Sequence, residues 1–173
     1  MKKFLALIAM AVFSANAAAH GPTPQKIDDR IIIKVEPAQA WAMIKDYENV
    51  QKWLPAVKSV KVEKKGADIF RTLTLINGGK IKEHIKRIDD ANMKIKFEVL
   101  KGGPFSNYNP YISVKKGPNA GESEVRFFHR FYRQYPNNPP IPEGQDEAAA
   151  IQFITDTYLP GNENLKKVLE NSK

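Results

Sequence analysis

Apolar and polar side chains alternate along the middle of the chain in short runs separated by turn formers. This is the signature of an antiparallel sheet and not of alternating βαβ units. The runs are Val57–Lys64, Ile69–Leu75, Lys80–Ile88, Met93–Val99, Tyr108–Lys115 and Glu122–Arg133. Lys65-Gly66-Ala67-Asp68, Asn77-Gly78-Gly79, Asp89-Asp90-Ala91-Asn92 and the Gly/Pro/Asn cluster from Lys116 to Gly121 supply the turns. Ahead of them, the β-branched triplet Ile31-Ile32-Ile33 predicts a strand over Asp29–Val35, and Gly21–Lys26 reads as a flexible leader. Pro37 suits the first turn of a helix, where its missing N–H costs nothing. Ala40, Trp41, Ile44 and Tyr47 then recur at helical spacing, and Val50–Leu54 forms a second short turn stopped by Pro55. Tyr135–Gly144 holds four prolines and predicts an irregular connector. From Asp146 onward Ala150, Ile151, Ile154, Tyr158, Leu165, Val168 and Leu169 lie near one helical face. Pro160-Gly161 interrupts that face and predicts a kink or break. The element order is strand, two short helices, six strands and a long closing helix.

The ends change this picture little. Lys2 and Lys3 precede an apolar stretch from Phe4 to Phe13 that is too short to span a bilayer. Small residues at Ala15-Asn16-Ala17 and Ala17-Ala18-Ala19 complete the pattern of an export signal. Residues 1–19 are therefore expected to be removed, leaving one domain, 20–173, in the periplasm. Its length, about 150 residues, is enough for a sizeable core. The 173-residue chain has no cysteine, which excludes disulfides, thiolate metal sites and cysteine nucleophiles. The formal charge of +8 becomes +6 without Lys2 and Lys3. A basic exported protein suggests an acidic partner: an acidic protein, anionic lipid or another polyanion. Export and the lack of a binding motif argue against nucleic acid.

Strand alternation sorts the side chains that could carry chemistry. Val125, Phe127, His129 and Phe131 share one face of the last strand, and Arg126, Phe128, Arg130 and Tyr132 the other. Ile81, Glu83 and Ile85 oppose Lys82, His84 and Lys86 in the same way. Glu83, His129 and Tyr108 are thus expected to point inward together. Such a group can hold a polar ligand head, act as acid and base, or be an ordinary satisfied core cluster. No catalytic spacing, phosphate loop or serine nucleophile motif accompanies it. Outward Lys82, Lys86, Arg126 and Arg130 are the expected contacts for an acidic partner. His20, as a free amino terminus, could chelate copper only with a further ligand, so no metal site is assigned.

Four ordered motifs carry a family resemblance. They are Pro37…Trp41…Asp46, Trp53-Leu54-Pro55-x-Val57, Gly78-Gly79-x-Ile81-x-Glu83, and Phe127…Phe131 before the closing helix. Together they resemble the START/Bet v 1-like superfamily of polyketide cyclase/dehydrase and lipid-transport proteins. The resemblance implies an α+β helix-grip fold. In it a curved antiparallel sheet of about seven strands wraps a long C-terminal helix over a cavity, with two short helices after the first strand. It assigns Trp41, Trp53, Ile81, Glu83, Tyr108, Phe127, His129, Phe131, Ile154 and Tyr158 to the cavity wall. The signal peptide, the Ala19-His20-Gly21-Pro22 start, the basic charge and Tyr108-x-Pro110-x-Ile112 are similar to the exported MxaD-type branch. That similarity implies a non-catalytic accessory of methanol oxidation, without cofactor, assisting methanol dehydrogenase and its cytochrome c acceptor. A carrier of a lipid or quinone-like ligand is the alternative, and a cyclase or dehydratase using Glu83, Tyr108 and His129 is a third reading.

Overall fold

The computed structural model describes residues 21–172. The expected export segment 1–19 and His20 lie outside the described residues. The elements are β1 (Gln25–Ile33), α1 (Pro37–Lys45), a 3-10 turn (Val50–Lys52), β2 (Val57–Lys65), β3 (Asp68–Leu75), β4 (Lys80–Asp89), β5 (Lys94–Lys101), β6 (Phe105–Ser106), β7 (Tyr111–Lys116), β8 (Ser123–Arg133), α2 (Glu147–Thr157) and α3 (Leu159–Asn171). The strands form one antiparallel sheet in the order β1-β8-β7-β5-β4-β3-β2, with β6 paired to β8. This is the helix-grip α+β fold. Its core fills the concave side of the sheet, against α2 and α3.

Period-2 alternation is sharpest in β8, where every second residue from Ser123 to Arg133 is buried. The β4–β5 register shifts twice, with Leu100 extra on β5 opposite Lys82 and Glu83 and Lys86 extra on β4 between Ile85 and Arg87, and Glu83 faces inward by alternation with Ile81 and Ile85. β1 begins at Gln25, earlier than the isoleucine triplet predicts, and ends at Ile33. The cause is non-local: β8 offers a long edge, and Gln25 to Ile33 pair with Phe131 to Ser123 along it. Tyr108, predicted to open a strand, sits instead in an isolated bridge to Val99, ahead of β7.

The closing helix is two segments. Asp146 caps α2 by accepting the Ala149 amide at 2.7 Å, and Glu147 in the first turn suits the positive end of the helix. Pro160 lies in the first turn of α3, where it needs no helical N–H partner. The chain therefore breaks at Tyr158 and restarts. At the break Gly161 lets α3 touch the segment after the 3-10 turn. A Cβ at Gly161 would lie 2.6 Å from Leu54 Cδ1 and 3.3 Å from Trp53 Cζ3. Gly161→Ala is expected to lower stability by about 1 kcal/mol in urea unfolding, because overpacking (roughly 1–3 kcal/mol) outweighs alanine's helix preference (about 1 kcal/mol). An unchanged midpoint would mean that Leu54 yields freely.

Candidate functional site

The inward faces of β3, β4 and β8 converge with the α2–α3 break on a group of buried polar side chains. Arg71 of β3 stands directly across from Glu83 of β4 in the sheet register. Its Nε donates to Glu83 Oε2 at 2.5 Å, and both residues are buried, with 6% and 1% of their surface exposed. Arg71 also donates to the Tyr47 carbonyl at 3.1 Å and lies over the Phe97 ring. Tyr158, placed at the helix break, donates to the other Glu83 oxygen at 3.3 Å. The carboxylate is thus held from two sides, and the guanidinium is neutralised and hydrogen-bonded.

A second pair adjoins the first. The Tyr108 hydroxyl lies 2.5 Å from His129 Nδ1. Burial, then the Glu83 charge, pushes the Tyr108 and Tyr158 hydroxyls well up, so both keep their protons. Burial pulls the His129 ring down to about 4, with a smaller opposing effect from Asp29. His129 is therefore neutral near pH 7. The Tyr108 proton has His129 Nδ1 as its partner, which assigns the remaining ring proton to Nε2.

Between these pairs lies a cavity of about 30 Å³. Its walls are mostly apolar and aromatic, with Leu54, Phe97, Ile112 and Phe127 beside Trp53, Arg71, Glu83, Tyr108, His129, Tyr158 and Asn162. Of the side chains assigned to the cavity from sequence, Trp53, Glu83, Tyr108, Phe127, His129 and Tyr158 line it. Ile81, Phe131 and Ile154 lie in the surrounding core. Trp41 is also buried away from the cavity, because its indole N–H is drawn to Asp90 in the β4–β5 turn, at 2.8 Å. Arg71 and Asn162 were not singled out by sequence reasoning. Both carry a signal: Arg71 interrupts the inward series Ile69, Leu73, Leu75, and Asn162 precedes Leu165 and Leu169 at helical spacing.

The family sequence profile described as "Polyketide cyclase / dehydrase and lipid transport" matches residues 24–170. The chain belongs to this family. No curated protein sequence matches it. Among solved structures it is similar to the protein XoxI from Bacillus cereus, with 23% identity, 83% of this chain and 94% of that one covered, and a TM-score of 0.69. It is also similar to an uncharacterised protein from Bacillus thuringiensis, with 21% identity, 84% and 98% covered, and a TM-score of 0.70. The Zhui aromatase/cyclase from a Streptomyces strain shares 10% identity over 87% and 93% of the two chains, with a TM-score of 0.65. At these identities the likeness establishes the fold. An aromatase/cyclase shares this fold, so the fold alone does not assign catalysis.

On the convex face Lys82 and Lys86 on β4 are separated from Arg126 and Arg130 on β8 by β5 and β7, so they stand as two groups. Arg126 is clamped by both oxygens of Asp28 at 2.7 and 2.6 Å, and Lys86 pairs with Glu98 at 3.3 Å. Lys94 and Lys96 on the intervening β5 were not anticipated. Among the described residues neither makes an ion pair, and Lys94 Nζ sits 3.7 Å over the Tyr111 ring, which stacks on Phe128 at 4.9 Å. Partial burial, then Lys96 and Arg126, lowers the Lys94 pKa.

Proposed function

We propose that this family member is a non-catalytic periplasmic accessory protein that docks on acidic redox partners. The MxaD-type resemblance points to methanol dehydrogenase and its cytochrome c. The observation that carries the proposal is the pair Lys94 and Lys96, neither of which makes an ion pair among the described residues, set beside Arg126 around the Tyr111–Phe128 stack. Mutual repulsion of cations on the sheet is relieved when a carboxylate-rich surface covers them, and the half-buried aromatic stack adds apolar contact. The inner polar residues support the non-catalytic part of this reading, since Glu83 is already engaged by Arg71 and Tyr158. The alternative, a carrier of a lipid or quinone-like molecule, finds little room: ligand pockets typically span about 300–1,000 Å³, against about 30 Å³ here.

The test is binding of the mature chain to methanol dehydrogenase and to its cytochrome at two ionic strengths. Saturable binding at low salt is expected to weaken at 0.15 M, where screening acts beyond about 8 Å. Lys94→Glu with Lys96→Glu should weaken it roughly ten-fold or more, mainly through the association rate. Absence of binding at low salt, or indifference to the charge reversal, would sink the proposal.

A further inference from the structure

Among the described residues, four buried side-chain nitrogen or oxygen atoms have no hydrogen-bond partner. Three of them, Trp53 Nε1, His129 Nε2 and Asn162 Oδ1, belong to residues lining the one small cavity between the gripped helix and the sheet. Buried polar atoms left unpaired are costly and uncommon, and three on one cavity need a common explanation. We infer that this cavity binds a small uncharged hydroxyl compound, an alcohol of two or three heavy atoms, whose single O–H group joins Trp53, His129 and Asn162.

The chemistry of the three atoms selects this class. The Trp53 indole nitrogen only donates. His129 Nε2 carries the ring proton, because Nδ1 accepts from Tyr108, and it donates as well. Asn162 spends its Nδ2 on Asp29 at 2.6 Å and leaves its carbonyl oxygen to accept. The residues of the cavity wall therefore carry two unpaired donors and one unpaired acceptor. A hydroxyl group has two lone pairs and one proton, and matches all three. A ketone satisfies the donors but leaves Asn162 unpaired. A carboxylate does the same and adds a buried charge, for which no cation is free: Arg71 is paired with Glu83 and the imidazole is neutral. An ammonium ion would leave both donors unsatisfied. The volume, about 30 Å³, exceeds the ~10–15 Å³ that one water needs. The apolar remainder of the wall, with Val50, Leu54, Ile112 and Phe127, suits a short carbon chain better than a second water.

The chain has two tryptophans, so its indole N–H signals report both the site and a control. In a titration of the ¹⁵N-labelled protein, ethanol is expected to shift the Trp53 indole signal saturably, with a Kd in the millimolar range set by so few heavy atoms. Trp41, whose N–H is held by Asp90, should not move. Acetone, an acceptor without a proton, should bind at least ten-fold more weakly, and acetate not at all. Asn162→Val should bring the affinity for ethanol down to that for acetone. Should that variant not fold, the ethanol and acetone titrations of the native chain still decide. No saturable shift below about 100 mM, or equal affinity for ethanol and acetone, would overturn the inference. So would a long-lived water beside Trp53 that ethanol does not displace.

Discussion

Glu83→Leu is expected to destabilise the fold by about 3–5 kcal/mol, and Arg71→Met by a similar amount, because each leaves the other charge buried and unpaired. Against a total stability of roughly 5–15 kcal/mol, either loss is severe. The pair bridges neighbouring strands on the concave side, where neither residue has appreciable solvent contact to fall back on. The double variant should lose far less than the sum. Hydrophobic replacements of similar volume often match a buried ion pair once both charges are gone. It will not be neutral, since Tyr158 loses its acceptor and the Tyr47 carbonyl its donor, each worth about 1–3 kcal/mol if left unpaired. Urea unfolding of the four proteins closes a double-mutant cycle. A coupling of about 3 kcal/mol or more is the expected outcome; additive losses would mean that the two charges are screened from one another by water. Binding to acidic partners through Lys94 and Lys96 should be unaffected in any folded member of the set, because the pair lies on the opposite face of the sheet.

Much of this architecture was legible because strand alternation is local. The faces of β4 and β8 follow from a period of two, and that period sent Glu83 and His129 inward before any neighbour was known. The break at Pro160-Gly161 was legible for the same reason, as proline chemistry acts within one turn. What failed was non-local. Alternation says which side of the sheet a lysine occupies, but not which strands stand beside it. β8 pairs with β1 at the far end of the chain, and β5 lies between β4 and β7. Lys94 thereby met Tyr111, Phe128 and Arg126. The start of β1 depended on the length of β8, and Trp41 left the cavity for Asp90 in a turn 49 residues away. The two residues missed at the site, Arg71 and Asn162, are polar side chains inside apolar periodicities. A rule that flags such interruptions on two adjacent strands would have paired Arg71 with Glu83. The size of the cavity had no sequence signal, because it depends on how closely Trp53 and Leu54 meet Gly161.

Lowering the pH from 6.5 to 4 is expected to cost about 3 kcal/mol through His129 alone, since each unit of pKa difference is worth 1.36 kcal/mol and the ring falls from 6.5 to about 4 on folding. The sign follows from proton counting. Between the two values the unfolded chain binds a proton at this histidine and the folded chain does not, so stability rises with pH there. The contribution is fully present above about 6.5, falls as the pH drops through that window, and is gone below about 4. Desolvation is the cause, and Asp29 only softens it. The lowered carboxyl groups of Asp28, Asp89 and Asp90 act in a different range, below their ordinary value of 3.8, and leave the window to His129. His129→Gln keeps an acceptor for the Tyr108 hydroxyl and removes the titration. Its urea midpoints should therefore run nearly flat between pH 4.5 and 6.5, where the native protein should lose up to about 1.4 kcal/mol per pH unit. Parallel slopes for the two proteins would mean that the imidazole reaches solvent. In that case Nε2 would find a water partner without any guest, and the hydroxyl site would lose one of its two donors. A flat variant beside a sloping native chain would instead establish a dry, neutral ring whose N–H faces the cavity wall at physiological pH.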